Sequence, residues 1–211
     1  AAAAEKRELS VDRQLLARAK QLSGQNSANY RAIFGLSQRE DLKEIRSQTD
    51  KNGLTHTRYR QTLEGVPVWG EQIIISRDRS GGTVSLRGTL VTGLANELPQ
   101  LQVSLTAVDA LDAMKDKVKN DYSQAKGLFF KNETSELVIY LDNNIPKLSY
   151  SVSFFADTEA GGQPTRPYFI IDAISGAVLY QYEGLTHAAA TLLNVADISG
   201  SSGTWHYYTV D

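Results

Sequence analysis

Three histidines, His56, His187 and His206, are the residues of this chain best suited to bind metal or move protons, and they lie far apart. None belongs to an HExxH helix or a comparable ligand cluster, so the expectation is isolated histidines doing packing, surface or contact work. Serine and aspartate are abundant, yet no serine has the G-x-S-x-G strand-to-helix setting, and a Ser-His-Asp triad would have to be assembled by folding. Adjacent carboxylates such as Glu40 and Asp41 read as charged surface, because general acid–base work needs a cleft and a perturbed pKa. Gly81-Gly82 and Gly161-Gly162 lack the following Gly-rich fingerprint and helix of a phosphate cradle, and read as turns. No catalytic residue, metal ligand or cofactor is therefore expected in the chain itself.

The remaining chemistry is that of contact. The run from His56 to Ser76, HTRYRQTLEGVPVWGEQIIIS, sets a strand, a Gly-Val-Pro turn and an aromatic-led second strand side by side. Tyr59, Val68 and Trp69 either fill the core of this meander or anchor a partner, since aromatic residues contribute strongly at interfaces. Arg58 and Arg60 share one strand face and meet acidic groups either across the sheet or across an interface. Tyr168, Phe169, Val178, Tyr180 and Tyr182 read as a sheet core and its solvent boundary, with no cofactor chemistry beside them.

A chain of 211 residues has room for one substantial domain or two small ones with a real core. No apolar run approaches the ~20 residues needed to span a bilayer, so no membrane role is expected. Lys plus Arg total 22 against 24 for Asp plus Glu, with no basic block, which leaves no electrostatic case for nucleic acid. Cysteine is absent, removing thiol catalysis, disulfides and thiolate metal sites together. The opening AAAAEKRELS lacks the long apolar segment of a signal peptide.

The elements that must hold these residues follow from periodicity. Ser10 followed by Val11, Leu15, Leu16, Ala19 and Leu22 predicts a short amphipathic helix with Ser10 as its N-cap. Residues 24–35 read as a loop containing Tyr30 and Phe34, and the Leu42–Ile45 spacing predicts a helical turn or two over 40–47. From Leu54 the pattern is extended: Thr55, Thr57, Tyr59 and Gln61 fall on one face, His56, Arg58, Arg60 and Thr62 on the other. Glu64-Gly65 makes a turn, Pro67 suits an edge or bulge, Gln72 to Arg77 continues the sheet, and Val84, Leu86 and Leu90 supply the next strand. Residues 92–102 are the candidate boundary. Beyond them Leu105, Val108, Leu111, Met114 or Lys115, and Val118 predict a helix capped by Thr106 and Asp109, then strands at 137–141, 148–155, 168–171 and 178–182. The expected fold class is α+β, two small modules each with an antiparallel sheet and packed helix, followed by a β-like tail.

The run from His56 to Ser76 resembles the first segment of the propeptides of secreted thermolysin-type zinc proteases, on Arg58, Tyr59, Gln61, Thr62, Gly65, Val66, Pro67, Val68, Gly70 and Ile73 to Ile75. Residues 106–185 resemble a PepSY domain through a helix followed by ELVIYLD, LSYSVSFF and RPYFIIDAISGAVLYQYEG. The resemblance implies an N-terminal helical and loop segment (1–39), a fungalysin/thermolysin-propeptide-like domain (40–98), a PepSY-like domain with a processing junction (99–188) and a tail (189–211). The tail resembles the start of the β-sandwich found after the catalytic domain of some secreted proteases. In such a precursor the catalytic domain lies between, so this juxtaposition departs from the family's order.

On this resemblance the chain is a non-catalytic propeptide, an intramolecular chaperone and noncovalent inhibitor that keeps its protease a zymogen until autoprocessing. It implies a bacterial protein, secreted or periplasmic after removal of a signal peptide, whose partner is the mature thermolysin-type metalloprotease carrying zinc and structural calcium. Arg58, Tyr59, Arg60, Val68 and Trp69 become the candidate partner contacts. Leu185, Thr186, His187 and Ala188 become the processing and active-site-blocking segment. The class-level alternative is a PepSY-containing binding or regulatory module that does not assist folding.

Overall fold

Period-two burial builds the first half of the chain. The computed structural model describes residues 4–21, 27–121, 127–159 and 164–185. Strands β1 (Glu5–Glu8), β2 (Glu40–Thr49), β3 (Thr55–Leu63), β4 (Val66–Pro67), β5 (Ile73–Arg77) and β6 (Thr83–Thr92) form one antiparallel sheet, ordered β1-β6-β5-β3-β2 with β4 beside β3. Along β3, Thr57, Tyr59 and Gln61 are buried while Arg58 is exposed, as the alternation predicts. The buried face carries Leu42, Tyr59, Ile73, Ile75, Leu86 and Leu90. On it lie helices α1 (Arg13–Lys20) and α2 (Ser27–Phe34), contributing Leu15, Ala19, Tyr30, Ile33 and Phe34. Glu64 and Gly65 have φ of 49° and 83°, the paired positive values of a tight hairpin turn whose twist matches the flanking strands.

The second half repeats the scheme with a longer helix. After a short α3 (Leu94–Glu97) come α4 (Ala107–Asp121), β7 (Leu128–Asp142), β8 (Ile145–Thr158), β9 (Pro167–Asp172) and β10 (Val178–Glu183), the strands ordered β10-β9-β8-β7 and antiparallel. The Asp109 carboxylate accepts from the Thr106 N–H (2.8 Å) while the Asp109 N–H donates to the Thr106 hydroxyl (3.1 Å), so the predicted cap forms. The Thr106 N–H, and after it the Thr106 hydroxyl donating to the same carboxylate (2.7 Å), hold the Asp109 carboxyl below its usual range. Ala110, Met114 and Val118 of α4 share a core with Ile139, Tyr150, Val152, Phe154, Phe169 and Ile171. That core also takes in Leu63, Val68, Val91 and Leu94 from the first half, so the two sheet-and-helix modules of this α+β fold pack on each other.

Four local expectations are corrected. Residues 40–49 are strand β2, paired with β3 from Glu40↔Leu63 to Thr49↔Thr55; a bulge between Glu44 and Arg46 leaves Ile45 exposed, so the Leu42–Ile45 spacing is not a helical one. Residues 27–34, read as loop, are helix α2, stabilised by burial of Tyr30, Ile33 and Phe34 rather than by propensity. The cap of α1 is Asp12, whose Oδ1 accepts from the Leu15 N–H at 2.9 Å; Ser10 and Val11 lie in a 3-10 turn before it. Val108 is 64% exposed, and the apolar stripe of α4 runs instead through Ala110, Met114 and Val118. Strand β1, four exposed residues, has no apolar signal and is recruited by backbone pairing to β6.

Candidate functional site

The segment that the sequence singles out lies at the join of the two sheets. Strand β5 begins at Ile73, opposite Gly88, while β6 runs on to Thr92. In the space β5 leaves, the buried Gln61 amide donates to the Val91 carbonyl (2.7 Å) and accepts from the Val91 N–H (2.9 Å), as a peptide unit of an intervening strand would. Its nitrogen also donates to Glu40 Oε1 (3.2 Å), and the other Glu40 oxygen accepts from the Ser37 N–H at 3.0 Å. One side chain thus continues the ladder between β3 and β6.

From there the chain crosses to the second sheet. The Val68 N–H donates to the Gln61 carbonyl (2.9 Å), and the next N–H, that of Trp69, donates to the Ile139 carbonyl of β7 (2.9 Å). Val68 and Ile139 form a parallel bridge. Val68 is fully buried, and the Trp69 ring meets Tyr140 edge-on at 5.6 Å and Tyr180 at 5.9 Å. Arg39 braces the same join: Nε lies 2.5 Å from Glu64, and Nη1 donates to the carbonyls of Ala95 (3.1 Å) and Leu98 (2.9 Å). Tyr59 sits in the first core with its hydroxyl 3.1 Å from Arg77, and burial pushes that hydroxyl above the ordinary phenol value. Tyr59 and Val68 are therefore occupied inside the chain, whereas Trp69 is half-buried, Arg58 is exposed, and Arg60 borders a groove with Lys43, Glu44, Pro67 and Glu136.

Among the described residues nothing covers the face of the first sheet opposite its helices. Arg46, Arg58, Ile74 and Arg87 are successive ladder partners across β2, β3, β5 and β6. Beside them His56 is held between Ser76 Oγ (2.8 Å from Nδ1) and Asp50 Oδ2 (3.1 Å from Nε2). The His56 hydrogen bond, followed by that of the Leu54 N–H, holds the Asp50 carboxyl below its usual range. Folding has thus lined up a serine, a histidine and an aspartate that are scattered in sequence. Ser76 is only 3% exposed and sits in a central strand paired on both sides, so the neighbouring backbone N–H groups are committed to the ladders and offer no backbone oxyanion hole. The arrangement fixes the imidazole on the open face.

The end of β10 is tied down. Tyr182 stacks on Tyr168 with centroids 4.7 Å apart and planes 2° from parallel. The Glu183 carboxylate accepts from the Arg166 N–H (2.7 Å), the Leu185 N–H (2.9 Å) and the Thr165 hydroxyl. The Gly184 N–H donates to the Arg166 carbonyl at 2.9 Å, and a Cβ on Gly184 would come within 2.4 Å of the Tyr168 ring. Leu185 is half-buried there; Thr186, His187 and Ala188 lie outside the described residues. Arg46 and Arg87 carry no signal of their own in the sequence; with 40–49 a strand rather than a helix, Arg46 falls beside Arg58 by pairing.

Among the described residues no group of three or more His, Cys, Asp or Glu is placed to hold a metal ion, and no helix is long and apolar enough to cross a membrane. Residues 40–90 match the Fungalysin/Thermolysin Propeptide Motif. Similarity to bacterial proteases extends further: the chain is 32% identical over 150 residues to the neutral protease of Vibrio proteolyticus, covering 71% of this chain and 24% of that protein. It is 32% identical over 151 residues to the virulence metalloprotease of Vibrio anguillarum (70% and 24%). To the thermolysin of Alicyclobacillus acidocaldarius subsp. acidocaldarius it is 29% identical over 155 residues (74% and 28%). The chain spans about a quarter of the length of these relatives. Among solved structures, the Bacillus megaterium YpeB C-terminal domain aligns over 79% of this chain and 68% of its own, at 10% identity and a TM-score of 0.24, too low to support an argument.

Proposed function

We propose that this chain is the propeptide of a secreted bacterial thermolysin-type zinc metalloprotease, serving as intramolecular chaperone and noncovalent inhibitor of the mature enzyme. The observation that carries this reading is the propeptide motif at 40–90, within similarity to metalloproteases that runs far beyond the motif. The functional unit is residues 10–188, a propeptide-motif module followed by a PepSY-like module. Strands β2 and β10 each end a sheet, and an edge strand holds partner backbone by hydrogen bonding. A complementary contact of roughly 1,200–2,000 Å² would occlude substrate and stabilise a folding form alike.

Zinc and structural calcium belong to the enzyme in this reading. The segment Leu185, Thr186, His187 and Ala188 leaves the end of β10 to enter the active-site cleft, where a new terminal carboxylate or the His187 imidazole reaches the zinc. Arg58, Arg60 and Trp69 keep surface with which to touch the enzyme, while Tyr59 and Val68 act by holding the fold that presents them. The test is refolding of the denatured mature enzyme with and without this chain, followed by peptide hydrolysis. A higher active yield together with inhibition of the refolded enzyme is expected; equal yields and no inhibition overturn the reading.

A further inference from the structure

The row Arg46, Arg58, Ile74 and Arg87 crosses the open sheet face over three inter-strand spacings, about 14 Å. Like charges directly opposite one another destabilise a sheet, and Arg46 and Arg58 are direct partners. Several cations elsewhere are matched, Lys6 with Glu71, Arg39 with Glu64, Lys115 with Glu133 and Lys147 with Asp142. On the row the only hydrogen bond among the described residues is from Arg46 to Gln48 Oε1 (3.1 Å), and none of the three guanidinium groups has an acidic partner there. The carboxylate nearest in the same concavity, Asp50, is already used by His56 and by the N–H groups of Asn52 (2.8 Å) and Leu54 (2.9 Å). The row is thus repulsive as it stands and relaxed by an anion laid across it.

We propose that this face is a docking surface for acidic side chains of a protein partner, with Arg46, Arg58 and Arg87 as the reading groups. Two observations favour protein carboxylates over a nucleic acid. Half-buried Ile74 places an apolar spot between the guanidinium groups, which suits the methylenes of Glu side chains. The chain as a whole carries 24 acidic against 22 basic residues, so no field extends beyond the row to hold a phosphate backbone. Arginine pairs with carboxylate in bidentate fashion, and charges at an interface act mainly on partner choice and association rate. The identity of the partner as the mature enzyme rests on the propeptide reading; the chemistry of the face does not.

The full chain and an R46Q/R58Q/R87Q variant are titrated at low ionic strength with a fluorescein-labelled hexaglutamate peptide, and both are assayed as inhibitors of the mature enzyme. The expected result is peptide binding that falls about tenfold or more in the variant, an unchanged or raised melting temperature, and slower, more weakly salt-dependent association with the enzyme. If the triple variant does not fold, R87Q alone serves, with about a threefold loss expected. No peptide binding by the unmodified chain, equal binding by a folded variant, or tighter binding of a hexathymidine oligonucleotide overturns the proposal. Peptide binding lost while inhibition persists overturns the enzyme as the occupant. Failure of the unmodified chain to inhibit overturns the propeptide reading instead, and the peptide titration still decides the face.

Discussion

Both sheets lay one face on helices, but they treat the other face in opposite ways. On the second sheet the face away from α4 carries Val138, Tyr140, Ser149, Ser151, Ile170 and Tyr180. It is nonetheless closed, with Val138, Ser149 and Ile170 at most 2% exposed, beneath a cluster formed by Trp69, Tyr140 and Tyr180. Small serines along β8 leave room for those rings, and the first module supplies Trp69. On the first sheet nothing among the described residues covers the equivalent face, and its exposed ladder row is cationic. One face is covered by the described residues and the other is not, so substitutions on them should separate stability from the binding proposed for the second.

The largest effect is expected at the join. Gln61→Leu leaves the Val91 N–H and C=O without their partner and the buried Glu40 carboxylate with only the Ser37 N–H, a loss of about 3–5 kcal/mol. Urea unfolding should show a lower midpoint with an unchanged slope. A midpoint equal to that of the unmodified chain would mean that the join does not hold the modules together. Next comes the closed face: Trp69→Ala removes two ring contacts and opens the covered surface, costing about 2–3 kcal/mol in the same assay. A smaller cost than that of Arg58→Gln would invert the comparison. For Arg58→Gln the expectation is a change within about 0.5 kcal/mol, stabilising in sign because Arg46 loses a like-charged neighbour. A large destabilisation there would show that the open face is structural after all.

Local rules made the hairpin of β3 and β4 and the helix α4 readable. Alternation divided β3, Glu64-Gly65 matched the one turn that suits strand twist, and Thr106 with Asp109 wrote out a reciprocal cap. The failures share a cause of their own: β1 and β2 are edge strands whose pairing is backbone-driven, so EKRE and the polar half of β2 carry little apolar pattern. Helix α2 shows Tyr30, Ile33 and Phe34 at helical spacing but owes its existence to a sheet lying beneath it. The same limit applies to the site. Tyr59, Val68 and Trp69 were legible as a group, yet what Val68 and Trp69 touch depends on residues 70 or more positions away, Ile139 and Tyr180, and Tyr59 depends on Arg77 brought in by strand pairing. The Ser76–His56–Asp50 line and the arginine row needed the strand register, which no single segment encodes.

The tie at the end of β10 fixes the last described residues to the sheet. Because Glu183 grips the Leu185 N–H and Gly184 lies against the Tyr168 ring, the position and heading of the backbone at Leu185 are set by the sheet. The effective concentration of a tethered segment at its target depends on the length and freedom of the chain between anchor and target, and slack at the root dilutes it. If residues 185–188 block a protease cleft as proposed, the two Glu183 oxygens would act as a gain control on an encounter in which they take no part.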